Sequence, residues 1–389
     1  MRSISVLDKR VYLLTTIAFV VGMVELIIGG ILDLVALDLG VSVGSAGLLI
    51  TVFAIVFGIS GPVLLYLTGH ADRKRVTLVA LLVFIAGNLI AVFSTTYLVL
   101  LLARIISAAS GALLTVLSLT LAAHISEPAY RGRAIGLVVM GISGSIVLGL
   151  PIGVSMGHAY GWRSPFLLVM VLALLLMVGV AVFFGKMSTE MPAPLKKQLD
   201  ALRGRRVLFA HLTTFFFLAG HFTLYGYLTP FVISTMGFGG AVITLVYFVY
   251  GAAAVTGGGV AGTLSDKFGA RPTLLTSTAL LIVCLLLIPH TTQVPAVFWV
   301  ILVVWGVLSW AITPPIQSHL VQLSPETSEI QQSLNNSVLH LGIALGTLVG
   351  SVVIDRFSVE QNAYTGAFFV VIALGAAMVT LQRKRETVG

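Results

Sequence analysis

Residues Tyr12–Leu37 read YLLTTIAFVVGMVELIIGGILDLVAL, an almost wholly apolar run with the carboxylate of Glu25 in its middle. A helix rises 1.5 Å per residue, so a run of this length crosses the roughly 30 Å hydrocarbon core of a bilayer. Glu25 is then expected inside hydrocarbon, or inside a cavity cut through it. An ionised side chain at the centre of a membrane helix costs about 2.5 to 3.5 kcal/mol on insertion scales, and such residues mark paths for ions, protons or substrates. On this reading Glu25 carries a proton.

The remainder of the 389-residue chain is of the same kind. Hydrophobic residues make up 58% and charged residues 9%, and the mean hydropathy is +1.08. Soluble domains hold roughly a quarter charged residues, so the composition is that of a polytopic membrane protein. Cys284 is the single cysteine, which excludes an internal disulfide and a cysteine-built metal site; in its apolar run it reads as a small core residue. Arg2, Lys9 and Arg10 precede the first run, but that run is too long for a signal peptide and no small-residue cleavage site follows it. It is expected to be a retained first span.

Apolar runs centred near residues 24, 56, 85, 109, 144 and 174 are followed by a polar break and then by runs near 219, 249, 281, 304, 342 and 373. The expected fold class is therefore an all-α membrane protein of twelve transmembrane helices in two pseudo-symmetric six-helix halves. The expected divisions are an N-terminal bundle over 1–184, a linker over 185–206 and a C-terminal bundle over 207–389. The break holds Lys186, Lys196, Lys197, Arg203, Arg205 and Arg206.

Short cytoplasmic loops collect Lys and Arg. With the N-terminus inside, the cytoplasmic segments take Arg2, Lys9 and Arg10; Arg73, Lys74 and Arg75; Arg131 and Arg133; the six linker residues; Lys267 and Arg271; and Arg383, Lys384 and Arg385. Of the 22 basic residues only Arg104, Arg163 and Arg356 fall elsewhere. Both termini are thus expected to be cytoplasmic. The net charge of +8 is topogenic and needs no nucleic-acid partner.

The halves repeat. Asp72 follows the second span within Gly69-His70-Ala71-Asp72-Arg73-Lys74-Arg75, and Asp266 follows the eighth within Gly262-Thr263-Leu264-Ser265-Asp266-Lys267-Phe268-Gly269-Ala270-Arg271, half a chain further on. Parallel six-span repeats are a transporter architecture, with substrate held between halves near the midplane. At these residues the chain resembles the major facilitator superfamily over its whole length. The second turn is similar to the family's Gly-x-Leu-x-Asp-Arg/Lys-x-Gly-x-Arg signature at Gly262, Leu264, Asp266, Lys267, Gly269 and Arg271. The first departs from it, with Thr68 in the glycine position and no inner glycine between Asp72 and Arg75. In each turn the acid can cap a helix start and pair with basic residues, here Arg73 and Arg75 or Lys267 and Arg271, as a gate; the other reading is a solvated topogenic loop.

The fifth span, Gly141-Ile142-Ser143-Gly144-Ser145-Ile146-Val147-Leu148-Gly149-Leu150-Pro151-Ile152-Gly153, resembles the glycine-proline signature of proton antiporters in the superfamily, with Leu150 interposed between Gly149 and Pro151. The counterpart span carries Gly342, Gly346 and Gly350. Close helix packing accounts for such glycines equally well.

Arg104 is the only basic residue inside a span, at a depth similar to that of Glu25, so the two can pair. The resemblance implies an arginine on the proton pathway at this place, with Ala108 where a glycine is expected. The alternative is a static ion pair that ties two helices. Asp33, eight residues past Glu25, lies about 80° round an unbroken helix, near the outer surface. There Asp33 and Asp38 are expected to be ordinary exposed acids.

In the second half, His221 and Tyr225 lie in the seventh span, Trp305, Ser309, Trp310 and Gln317 in the tenth, and Gln331, Gln332, Asn335, Asn336 and His340 in the eleventh. Gln332, Asn335 and Asn336 fall on one side of a helix. Aromatic planes beside amides and imidazoles suit a flat, uncharged heterocycle; inter-helix glue and interfacial belts suit them too. The segments 219–225, 305–310 and 328–335, with Val24-Glu25-Leu26-Ile27-Ile28-Gly29-Gly30, look like those of bacterial purine base and nucleoside efflux pumps in the drug:proton antiporter branch. Asp33 departs from the proline common there.

The resemblance implies a proton-coupled exporter of purines and their analogues in the bacterial cell membrane, with Glu25 and Arg104 coupling protons. Glu25, His221, Tyr225, Trp305, Trp310, Gln332, Asn335 and Asn336 would meet the substrate. Asp72, Arg73, Arg75, Gly149, Pro151, Gly262, Asp266, Gly269 and Arg271 would serve gating. The expected partners are a flat heterocyclic solute, protons and the bilayer, for a monomer without cofactor or metal. A broad multidrug, chloramphenicol or sugar antiporter of the same fold is the alternative. No metal-spaced His/Glu cluster and no Ser/His/Asp arrangement points to an enzyme.

Overall fold

The structure is a computed structural model that describes residues 8–187 and 194–382. Arg2, Arg383, Lys384 and Arg385, which contribute to the charge argument above, lie outside the described residues, as does part of the linker.

In hydrocarbon no water satisfies the backbone, so an apolar run must close its own hydrogen bonds as a helix. Among the described residues, twelve helices are long and apolar enough to cross a membrane. They are α1 (Lys9–Gly30), α2 (Val43–Leu67), α3 (Arg73–Val92), α4 (Tyr97–Ile125), α5 (Pro128–Tyr160), α6 (Ser164–Phe183), α7 (Arg205–Tyr225), α8 (Gly240–Phe268), α9 (Ala270–Thr291), α10 (Pro295–Leu323), α11 (Pro325–Arg356) and α12 (Gln361–Thr380). Short helices lie between them at Leu32–Leu39, Leu195–Asp200 and Leu228–Met236. Leu82, Leu102, Val178, Leu286, Val300 and Phe368 are large apolar side chains left exposed on the spans, as befits surfaces whose solvent is lipid.

The chain forms two compact units. One comprises residues 8–187 together with Leu228–Gly251, and the other comprises Pro194–Tyr227 together with residues 252–382.

Within the first unit α5 packs along α1 through small residues every four positions. A Cβ added to Gly149 would stand 3.2 Å from Met23 Cβ, and one added to Gly153 would stand 2.6 Å from Ile27 Cγ1. At Gly141 it would meet Thr15, and at Gly157 it would meet Ile31. Four-residue rows on two helices can interlock only where one row lacks side chains, so these glycines set the approach of α1 and α5. Pro151 has no N–H to return to the preceding turn. The helix widens just before it, over Ser145–Gly149, where the Leu150 N–H reaches back five residues to the Ser145 carbonyl. Such π turns absorb a proline without ending the helix.

The second unit repeats the device. Cβ atoms at Gly342, Gly346 and Gly350 of α11 would press on Phe215, Ala219 and Thr223 of α7; at Gly346 the neighbours are the Ala219 carbonyl carbon at 2.9 Å and its Cα at 3.0 Å. Backbone cannot move aside as a flexible side chain can. Gly346→Ala is therefore expected to destabilise the protein by about 1 to 3 kcal/mol. Gly258→Ala, which meets nothing within 4 Å on α8, should be neutral or add up to about 1 kcal/mol through helix propensity. Thermal unfolding of the two purified variants in detergent tests this, and equal shifts would contradict it.

Candidate functional site

The deepest charge in the first unit is Arg104 on α4, 1% exposed. Its Nη1 donates to the Val24 carbonyl of α1 at 2.8 Å, and its Nη2 donates to the Glu25 carbonyl at 3.4 Å. The guanidinium lies 4.0 Å from the centroid of the Phe53 ring, where the ring quadrupole favours a cation. Glu25 is half-buried between buried Val24 and Ile27, and its charge acts favourably on Arg104. The two residues are thus brought together as the sequence implied, but Arg104 grips the main chain of α1.

Asp33 differs from its expectation. It is half-buried, and among the described residues its Oδ1 is buried without a hydrogen-bond partner, as is Nε2 of His158 on α5. The reason is a break at Ile31 (φ −124°, ψ 20°), which ends α1 before the Leu32–Leu39 helix begins. The angular phase counted from Glu25 along an unbroken helix no longer applies. Nearby, Tyr247 of α8 donates to the Gly29 carbonyl at 3.0 Å and lies 3.0 Å from the Thr229 hydroxyl.

Asp38 is exposed, as expected, but it is not idle. Its Oδ2 accepts from Trp162 Nε1 at 3.0 Å and from Arg163 Nη1 at 2.8 Å, and Arg163 also donates to the Ser94 carbonyl at 2.7 Å. The bond from Trp162 and then that from Arg163 hold the Asp38 carboxyl below the usual carboxylate range.

The two signature turns are not alike. Asp72 caps α3 by accepting from Lys74 N at 3.2 Å, and it also accepts from Met187 N at 3.0 Å, while Arg73 N donates to the Met187 carbonyl at 2.9 Å. The N–H of Met187 is the chief reason that the Asp72 carboxyl sits low. Arg73 is buried and donates to the carbonyls of Thr68 and Gly69, Lys74 Nζ donates to the Ala181 carbonyl at 2.7 Å, and Arg75 stands 3.9 Å from Asp72. The copy that departs from the family pattern thus forms the capped, latched turn. The copy that matches it does not cap: Asp266 falls in the last turn of α8 and is exposed, as is Arg271. Gly269, at φ +93°, makes the turn into α9, a conformation in which a Cβ is strained. Gly262 is half-buried, and a Cβ added to it would stand 3.8 Å from Pro314 Cβ. Gly149 and Pro151 belong to the α1–α5 packing described above.

In the second unit His221, Tyr225 and Trp305 come together. Trp305 Nε1 donates to His221 Nδ1 at 3.1 Å, which leaves the imidazole proton on Nε2. Tyr225 stacks on His221 with centroids 5.1 Å apart and planes 24° apart, and Phe222 meets it edge-on at 5.0 Å. Trp305 is wholly buried and His221 is 3% exposed, so in this state the rings pack on one another. Trp310 is half-buried.

The three amides differ in burial. Asn335 is buried, whereas Gln332 and Asn336 are exposed. Asn335 instead joins Gln331, His211, Thr214 and Gln317 in a buried hydrogen-bonded chain. Gln331 was already named among the polar residues of the eleventh span; His211 is the member given no role from the sequence, and an imidazole in a span was the available signal, since polar groups there need partners. Among the described residues, no group of three or more His, Cys, Asp or Glu could hold a metal ion.

Twelve apolar helices in two units, each with the same glycine-lined helix pair, define a polytopic membrane transporter. The model of the Major Facilitator Superfamily matches residues 14–347, and the chain belongs to that family. Relatives include two Bacillus subtilis (strain 168) proteins. One, the uncharacterized MFS-type transporter YbcL, is 36% identical over 95% of this chain and 95% of its own. The other, the uncharacterized MFS-type transporter YtbD, is 28% identical over 95% of this chain and 94% of its own. Among solved structures, a bacterial homologue of the human lysosomal transporter Spinster, inward-facing and occupied, superposes with a TM-score of 0.81 at 16% identity, covering 95% of this chain and 96% of that one. A D-xylose-proton symporter gives 0.74 at 16% identity over 96% and 97%. These structures bear on the fold alone.

Because the Asp38 carboxyl is held low, its ion pair adds stability above the unfolded carboxylate value of about 3.9. That stability is lost as the pH falls through the lower folded value. Wild type should therefore melt above Asp38→Asn at neutral pH, and the gap should close in acid; a gap that persists in acid would contradict the assignment.

Proposed function

We propose that this protein is a proton-coupled antiporter that exports flat heterocyclic solutes, purine bases and nucleosides above all, by alternating access. The observation that carries the reading is Glu25, half-buried in a spanning helix beside an arginine that is anchored to main-chain carbonyls. An acid whose neighbouring cation has its own acceptors can change protonation without unfastening the helices. Solute and proton compete for the carrier, so that binding of one releases the other.

In the proposed cycle solute displaces the Glu25 proton on one side, and a proton taken up on the other side resets the carrier. The purine assignment rests on the imidazole, phenol and indole of His221, Tyr225 and Trp305, with Trp310 and the amides of Gln332, Asn335 and Asn336. Since the His221 faces are covered by its neighbours here, a ring would have to take the place of Tyr225 in the stack. The exporter acts as a monomer in the bacterial cytoplasmic membrane with both termini in the cytoplasm, and Asp72, Arg73 and Arg75 latch one state of the cycle.

Everted vesicles carrying Glu25→Gln should exchange a labelled purine base across the membrane yet fail to accumulate it against a gradient when a pH difference is imposed. Uphill accumulation by that variant would remove the carrier role. Competition for the same site by lipophilic cations as effective as adenine or hypoxanthine would replace the purine assignment with broad drug export.

A further inference from the structure

The buried chain around His211 has a fixed direction that can be read from its atoms. Gln331 donates through Nε2 to the Ala201 carbonyl at 2.8 Å, so its Oε1 is the atom that faces His211 Nε2 at 2.8 Å. That places the imidazole proton on Nε2 and leaves Nδ1 bare. Asn335 Nδ2 approaches the bare Nδ1 at 3.3 Å and donates to the Thr214 hydroxyl at 2.9 Å, while Asn335 Oδ1 accepts from Gln317 Nε2 at 3.4 Å. His211 and Asn335 are each 2% exposed, and Gln331 is fully buried. One polar atom is left over: among the described residues, Gln317 Oε1 is buried without a partner.

This leftover atom is the one a charged His211 would call on. A buried imidazolium persists only where both N–H groups meet oxygen. Nε2–H already does. For Nδ1–H, rotation of the Asn335 amide by half a turn brings Oδ1 to the ring nitrogen and to the Thr214 hydroxyl, which can donate as readily as accept. Asn335 Nδ2 then faces Gln317, and a half-turn of that amide offers it Oε1. Both N–H groups of the imidazolium then meet oxygen, and the contact between Asn335 and Gln317 is kept with its direction reversed. We propose that His211 is a proton-binding site of the second unit, and that its protonation reverses the hydrogen-bond chain through Asn335 to Gln317, fastening α10 to α11.

Among the described residues, the hydrogen-bond partners of this ring are the neutral amides of Gln331 and Asn335. The ionisable groups on the elements packed about it are engaged or exposed. Asp200 and Arg203 pair with one another at 3.0 Å, Arg205 lies over Phe209, and His319 of α10 meets the Thr380 hydroxyl at 3.0 Å. His340 of α11 lies 2.8 Å from the Asn336 carbonyl, Glu329 is exposed, and half-buried Arg206 acts electrostatically on His319. The site is therefore tuned by neutral amides. It is separate from Glu25, and it stands or falls without the export reading.

The test is nitrogen NMR of histidine-labelled full-length protein in lipid nanodiscs, titrated from about pH 8 to about pH 5. The His211 signal, identified by its loss in His211→Gln, should begin as the Nε2–H tautomer and end with both ring nitrogens protonated. Gln317→Leu, at a half-buried position, removes the far acceptor and should lower the proton affinity of His211 about tenfold, one unit in midpoint. Asn335→Asp, which presents a carboxylate oxygen to Nδ1, should raise it. A His211 that stays neutral over the whole range overturns the site. A midpoint indifferent to both Gln317→Leu and Asn335→Asp overturns the reversal.

Discussion

Hydrocarbon offers no hydrogen bonds, and this constraint accounts for most of what the chain does with its polar atoms. Backbone groups are closed inside twelve helices, and many of the polar side chains in the interior are given partners there. Arg104 uses the carbonyls of Val24 and Glu25, Tyr227 donates to the Thr347 carbonyl, and His211 is held between two amides. Helices that bring such partners close must themselves approach closely. The glycine rows of α5 and α11, set against α1 and α7, are the geometric condition for that approach.

The same constraint explains what the sequence could tell and what it could not. Span number, the polar break and the repeated turn are properties of long stretches, so hydropathy and spacing carried them. The side on which a single residue falls depends on local breaks that leave little trace. Asp33 turned inward because α1 breaks at Ile31, directly after Gly29 and Gly30, and glycines in a membrane span can serve close packing as well as mark a break. Asp266 matches a family motif, yet it ends a helix rather than starting one. Meanwhile Asp72, in a degenerate copy, caps α3 and accepts from Met187, a residue 115 positions away that no local pattern points to. The amides of α11 were legible as a group, but helical spacing alone could not say that Asn335 is buried while Gln332 and Asn336 are exposed.

Two histidines show how burial divides similar residues. His221 takes part in an aromatic stack, accepts from Trp305, and has its ring faces covered. His211 sits among amides that can turn over, next to an acceptor still unused. The first is a packed platform; the second heads a chain of amides whose direction can be reversed.

The account depends most on Glu25 exchanging a proton while Arg104 stays anchored. Infrared difference spectroscopy of the protein reconstituted in lipid, recorded between acid and neutral pH, observes this directly through the carbonyl stretch of a protonated carboxyl group. A band that appears on acidification in wild type, is missing in Glu25→Gln and shrinks when solute is added is the predicted result. A band unchanged in Glu25→Gln, or a wild-type spectrum without one, would contradict the claim that this carboxylate carries the proton.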